Sequence, residues 1–75
     1  MVTVYSKENC LQCEYTKKYL SERGVAFKTI NLDDNPEAVE TVTRYGYKQA
    51  PVVVNDETRE HWSGFQPDKL ATLIS

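Results

Sequence analysis

Apolar and polar residues alternate with period two from Val2 to Tyr5, which predicts a first strand. Ser6 to Asn9 are polar and read as a loop. From Cys10 the period changes to that of a helix: Cys13, Thr16, Tyr19 and Leu20 share one face, and Lys17, Lys18, Glu22 and Arg23 turn outward. Gly24 is placed to end this helix. Ala26 to Asn31 return to a strand pattern, with Phe27 and Ile30 as its apolar residues. Asp33, Asp34 and Asn35 then offer capping side chains, and Pro36 stands where a first helical residue is tolerated. Ala38, Val39, Val42 and Tyr45 line one face of the second helix, and Gly46 ends it. The unbroken run Val52-Val53-Val54 predicts a strand covered on both faces. Residues 55–58 form a turn, and Arg59 to Ser63 the returning strand of a hairpin. Gly64 breaks the pattern. Pro67 and Asp68 open a last helix, with Asp68 as its cap and Leu70, Leu73 and Ile74 inward.

The predicted order is β-α-β-α-β-β-α in one domain spanning residues 1–75. The first βαβ unit is expected to be right-handed with parallel strands. The short turn makes the last two strands antiparallel. An α/β fold follows, with a four-stranded mixed sheet flanked by three helices.

Composition narrows the function classes. A chain of 75 residues buries only ~60% of its unfolded surface, so its core is thin. The formal charge is −2 with both signs interspersed, and no basic stripe points to nucleic acid. No apolar run is long enough to span a membrane. The N-terminal residues enter a strand directly and lack the pattern of a signal peptide, which predicts a cytoplasmic protein. No apolar seam remains after the core is assigned, so a monomer is expected. Tyr5 and Tyr45 read as core, and His61 as a surface strand residue.

Two cysteines remain, Cys10 and Cys13, with Leu11 and Gln12 between them. Such spacing in a reducing compartment reads as redox or metal chemistry before it reads as a structural bridge. A zinc site needs about four ligands, and His61 is the single histidine to add to the two thiols. No metal and no cofactor are therefore expected. A zinc site shared between molecules and a purely structural disulfide are the alternatives. The pair lies where the first strand turns into the first helix. Unpaired N–H groups and the partial positive charge of a helix N-terminus stabilise a thiolate there. Cys10 is accordingly expected to have a pKa below the free value of ~8.5. Lys7 adds to this, and Glu8 and Glu14 oppose it. Cys10, at the cap, is expected to attack. Cys13, one turn further in, is expected to resolve.

Gln49-Ala50-Pro51 form a second constellation. A proline ahead of a central apolar strand cannot donate to the ladder. It is either a loop proline that sets strand entry or a cis-proline facing the cysteines and exposing the Ala50 backbone to a substrate.

With C-x-x-C at a βα junction and Pro51 before the third strand, the chain resembles the glutaredoxin-like branch of the thioredoxin superfamily. Within that branch it is similar to the NrdH-redoxins, above all in Gly46-Tyr47-Lys48-Gln49-Ala50-Pro51-Val52-Val53-Val54 and in His61-Trp62-Ser63-Gly64-Phe65-Gln66-Pro67-Asp68. The resemblance implies a thioredoxin fold and a thiol-disulfide oxidoreductase. It implies reduction by NADPH-dependent thioredoxin reductase and delivery of electrons to class Ib ribonucleotide reductase. Carried over by position, Cys10 attacks, Cys13 resolves and Pro51 is the cis-proline. Leu11, Gln12, Ala50, Trp62, Ser63, Gly64 and Phe65 form the partner surface. Trp62 also has the simpler reading of a core aromatic. The alternative is a glutathione-dependent glutaredoxin. Those proteins commonly carry an aromatic residue before the second cysteine, a Thr-Val-Pro segment, and Gly-Gly near an acidic residue. Here the corresponding places hold Gln12, Gln49-Ala50 and Ser63-Gly64-Phe65. One departure runs the other way. The NrdH pattern usually reads Trp-Ser-Gly-Phe-Arg-Pro-Asp, and Gln66 replaces its arginine, removing a guanidinium and its donors.

Overall fold

Strand β1 (Val2–Ser6) is central to the molecule because both its edges are paired. In the computed structural model, which describes residues 1–74, it is followed by α1 (Leu11–Glu22) and β2 (Phe27–Asn31). A 3₁₀ turn (Leu32–Asp34) then leads into α2 (Pro36–Arg44), β3 (Val52–Asn55), β4 (His61–Ser63) and α3 (Pro67–Ala71). The sheet order is β2-β1-β3-β4, with β1 parallel to β2 and the other two pairings antiparallel. The expected four-stranded mixed sheet and three helices are present.

Strand periodicity divides the core into two layers. Val2, Val4, Val53 and Trp62 meet Leu20 of α1 and Leu70 of α3 on one face. Val52 and Val54 meet Leu32, Ala38 and Val42 on the other. The run Val52–Val54 is buried on both faces, as its unbroken apolar character requires. Burying each such side chain contributes about 1.5–3 kcal/mol.

The helix boundaries follow local chemistry. Gly24, at φ +71°, ends α1, and Val25 N–H reaches back to Leu20 O at 3.0 Å. The Asn35 side chain accepts from Ala38 N–H at 3.3 Å and caps α2, with Pro36 in the first turn.

Several expectations are corrected. Val39 is 43% exposed, because α2 meets the sheet through Ala38 and Val42. The returning strand starts at His61 rather than Arg59. Arg59 takes φ +68° and donates to Asn55 O, so residues 59 and 60 complete the turn. Helix α3 stops at Ala71, after which tight i to i+3 bonds turn the chain and leave Ile74 exposed. Asp68 is not its cap. Gln66 occupies that position without a side-chain cap bond, and Asp68 adds its charge to the first turn. Lys17 is partly covered rather than fully outward and pairs with Glu14 at 3.0 Å. Tyr5 and Tyr45 lie at the edge of the second core layer, half-buried. Burial pushes the Tyr5 phenol above its ordinary pKa, and the neighbouring Tyr45 and Asp56 push in the same direction.

Candidate active site

The turn from β1 into α1 is built by its own residues. Asn9 adopts φ +55°, a left-handed conformation that asparagine tolerates better than most side chains. Just before it, Glu8 N–H donates to Asp33 Oδ2 at 3.0 Å, tying the turn to the 3₁₀ segment. Cys10 is extended and is the N-cap of α1. Its Sγ accepts Cys13 N–H at 3.1 Å, so sulfur stands where a cap oxygen usually does. Glu14 N–H closes the first helical bond on Cys10 O at 3.2 Å.

The two cysteines differ in burial. Cys10 is half-buried, while Cys13 is 1% exposed on the inner face of α1. Their sulfurs are joined as a disulfide across a Cα–Cα separation of 5.2 Å. In the dithiol form, the same helix-terminal N–H and dipole would stabilise a Cys10 thiolate.

Register brings the second constellation to the same end of the sheet. Tyr5 lies opposite Val52, so the residues before β3 face the exit of β1. The Ala50–Pro51 peptide is cis, and Pro51 is fully buried. Pro51 O accepts Gly64 N–H at 2.8 Å, and Gln49 O accepts the Ser63 hydroxyl at 3.0 Å. Ala50 is half-buried against the second core layer.

The loop joining β4 to α3 completes this end. Ser63, Gly64 and Phe65 are partly exposed. Gln12 Oε1 accepts Phe65 N–H at 3.1 Å, and Gln66 Nε2 donates to Ser63 O at 2.7 Å. Leu11 is 65% exposed beside Cys10.

Trp62 must be moved out of the expected partner surface. It is 4% exposed and packs with Val4, Leu20, Val53 and Leu70, because alternation along β4 turns it into the first core layer. Its indole N–H is buried with no hydrogen-bond partner among the described residues. Phe65 is half-buried. Its ring centroid lies 5.9 Å from that of Tyr15 and 6.4 Å from that of Tyr19. His61 lies two residues further along β4 from this end than Ser63. It is half-covered by Tyr45, with its Nδ1 2.7 Å from the Tyr47 hydroxyl.

Tyr15 is a residue of this end that the sequence reading missed. It is 51% exposed beside Phe65, and the Arg23 guanidinium lies 3.7 Å over the next aromatic, Tyr19. The signal was available: Leu11, Tyr15, Tyr19 and Arg23 recur every four residues and so form one stripe along α1. Asp33 was read as a helix cap and instead holds the cysteine turn. Among the described residues no group of three or more His, Cys, Asp or Glu side chains could hold a metal, and no helix is long and apolar enough to cross a membrane.

Comparison with known proteins agrees with this arrangement. The glutaredoxin family model matches residues 2–59. The glutaredoxin-like protein NrdH of Lactococcus lactis subsp. cremoris is 52% identical over 73 residues, covering 97% of this chain and 99% of its own. The chain belongs to the NrdH proteins of the glutaredoxin family. The NrdH protein of Escherichia coli K12 is 40% identical over 72 residues, covering 96% of this chain and 86% of its own. The solved Escherichia coli NrdH-redoxin superposes with a TM-score of 0.89 at 40% identity, over 96% of this chain and 92% of that one. That protein is described as glutaredoxin-like with a thioredoxin-like activity profile. Membership of the NrdH group makes this chain a thiol-disulfide oxidoreductase with a thioredoxin-like fold and a C-x-x-C cysteine pair.

Proposed function

We propose that this NrdH-type protein reduces protein disulfides, with Cys10 as the attacking thiol and Cys13 as the resolving thiol. The observation that carries the reading is the asymmetry of the pair: Cys10 caps the helix and reaches solvent, while Cys13 is enclosed behind it. The Cys10 thiolate attacks one sulfur of the partner's disulfide. A mixed disulfide forms, and the partner's other sulfur leaves as a thiolate and takes up a proton. Cys13 then loses its proton and attacks the Cys10 sulfur. The mixed disulfide breaks, the second partner thiol is released, and the bond between Cys10 and Cys13 is left. Two electrons have passed to the partner.

The likeness to the NrdH proteins supports a choice of partners for this reading. Electrons come from NADPH through thioredoxin reductase, whose dithiol reduces the Cys10–Cys13 bond. They go to the disulfide of class Ib ribonucleotide reductase. Pro51 and Ala50, with Leu11 and the loop from Ser63 to Phe65, form the surface against which the partner segment lies. The protein works as a single-domain monomer in the cytoplasm, where the reducing poise keeps the cycle running.

The test is coupled turnover. NADPH oxidation with thioredoxin reductase and a protein disulfide is expected to depend on this protein and on Cys10. Turnover with glutathione and glutathione reductase, in the absence of turnover with thioredoxin reductase, would overturn the reading in favour of a glutathione-dependent glutaredoxin.

A further inference from the structure

Gln12 lies between the two cysteines, where an outward side chain would be expected to touch the partner. Its side chain instead bends back across the molecule. Oε1 accepts Phe65 N–H at 3.1 Å, a bond between residues 53 apart in sequence. The backbone carbonyl of the same residue accepts the Thr16 hydroxyl at 2.8 Å, and Thr16 is fully buried. Gln12 is therefore anchored in α1 and holds the β4–α3 loop from there.

The loop is shaped to receive this bond. Gly64 takes φ +85°, which turns the following amide toward α1. A Cβ built on Gly64 would lie 3.4 Å from Gln12 Oε1. The other loop groups are already fixed to the protein: Gly64 N–H to Pro51 O, the Ser63 hydroxyl to Gln49 O, and Gln66 Nε2 to Ser63 O. The Gln12 bond is the hydrogen bond, among the described residues, that ties this assembly to the cysteine helix, beside the packing of the Phe65 ring on Tyr15 and Tyr19. It also holds Phe65 beside Tyr15 and Tyr19.

We infer that Gln12 is a positioning residue: through Phe65 N–H it fixes the β4–α3 loop in register with Cys10, so that a protein disulfide meets a pre-ordered docking edge. The inference rests on the protein-disulfide reading above. Fixing the loop before encounter removes an ordering cost that a large partner would otherwise meet on docking. A small disulfide touches Cys10 without the loop and gains nothing from it.

The experiment compares prereduced protein against insulin, a protein disulfide, and against dipyridyl disulfide, a small neutral one. Gln12→Met keeps the length of the side chain and removes the acceptor. Losing one such bond is expected to lower the ratio of insulin rate to dipyridyl rate about five- to tenfold. Phe65 amide exchange is expected to accelerate in parallel. Gln12→Glu restores an acceptor, and is expected to restore slow Phe65 exchange and the ratio of insulin rate to dipyridyl rate. An equal fall in both rates would overturn the inference, since Gln12 would then act on the thiols themselves. So would an unchanged ratio in Gln12→Met, or no rescue by Gln12→Glu. Failure of the unsubstituted protein to reduce insulin at all would instead remove the protein-disulfide reading.

Discussion

The cysteine turn and the β4–α3 loop face each other but are held in opposite ways. The turn from Ser6 to Cys13 is shaped largely by neighbours in sequence: the left-handed Asn9, the Cys10 cap and the Cys13 N–H three residues on. Two distant side-chain bonds among the described residues reach it, Glu8 N–H to Asp33 and Phe65 N–H to Gln12. The loop from Ser63 to Gln66 has one bond within itself, Gln66 to Ser63. Apart from the helical bond of Leu70 N–H to Gln66 O and the strand pairing of Ser63 with Val52, its ties go to Gln12, Gln49 and Pro51. Chemistry is thus placed on the locally determined region. The loop beside it is assembled largely by tertiary bonds, and under the proposed reading sequence change there alters docking without disturbing the thiols.

The sharpest break of this comparison is at the thiols. Cys10→Ser is expected to abolish protein-disulfide turnover, by about a thousandfold or more, with the fold intact. Cys13→Ser leaves the attacking thiol and is expected to stop after one step. Intact-protein mass spectrometry should then show a covalent adduct of this chain with its partner. Absence of any adduct with a competent partner would reverse the assigned roles.

The next largest effect separates stability from docking. Trp62→Ala empties a buried site and is expected to cost about 3–5 kcal/mol in urea denaturation. Phe65→Ala, at a half-buried position, is expected to cost less stability and to slow protein-disulfide reduction more than small-disulfide reduction. If Trp62→Ala changed only the reaction with protein partners, its assignment to the core would fail.

Gln66 gives a smaller effect. Gln66→Ala removes the bond to Ser63 O and is expected to lower stability by about 1 kcal/mol. Gln66→Arg supplies a donor again and is expected to leave stability near that of the parent, measured by the same denaturation. A departure from the usual NrdH pattern would then be one of donor geometry, with the loop closed in both cases.

The smallest effect concerns Tyr5, far from both regions in function. Its phenol is raised above 10.0 in the folded state, with burial as the leading cause. The folded protein therefore favours the neutral phenol more than the unfolded chain does. This contribution is whole below the unfolded value and is lost as pH rises through the folded one. Tyr5→Phe is expected to flatten the alkaline decline in urea midpoint. An unchanged decline would assign it to other groups.

Legibility in the sequence followed the same division. The run Val52–Val54, the caps around Asn35 and Pro36, and Gly24 are local signals, and each placed an element correctly. The cysteine pair was legible because spacing and helix position are local too. Ends that depend on tertiary packing were not. Ile74 has helical spacing, yet α3 had already turned at Ala71 and leaves it exposed, while Leu73 still packs on the first core layer. Val39 has the period of an inward residue, yet two neighbours suffice to seat α2. Trp62 was ambiguous because one residue of strand register decides which face it takes. The Gln12–Phe65 bond spans 53 residues, and nothing near either residue announces it.

Gly64 also governs how freely this end of the molecule can diversify. Its left-handed backbone conformation strains any side chain placed there, and a Cβ would already touch Gln12 Oε1. Leu11, next to Cys10, is 65% exposed and meets no such limit. A library built to redirect the protein is therefore expected to tolerate variation at 11 more readily than at 64. A permissive position and a constrained one thus lie at the same end of the molecule, and the closure of the loop can persist while the exposed residue changes.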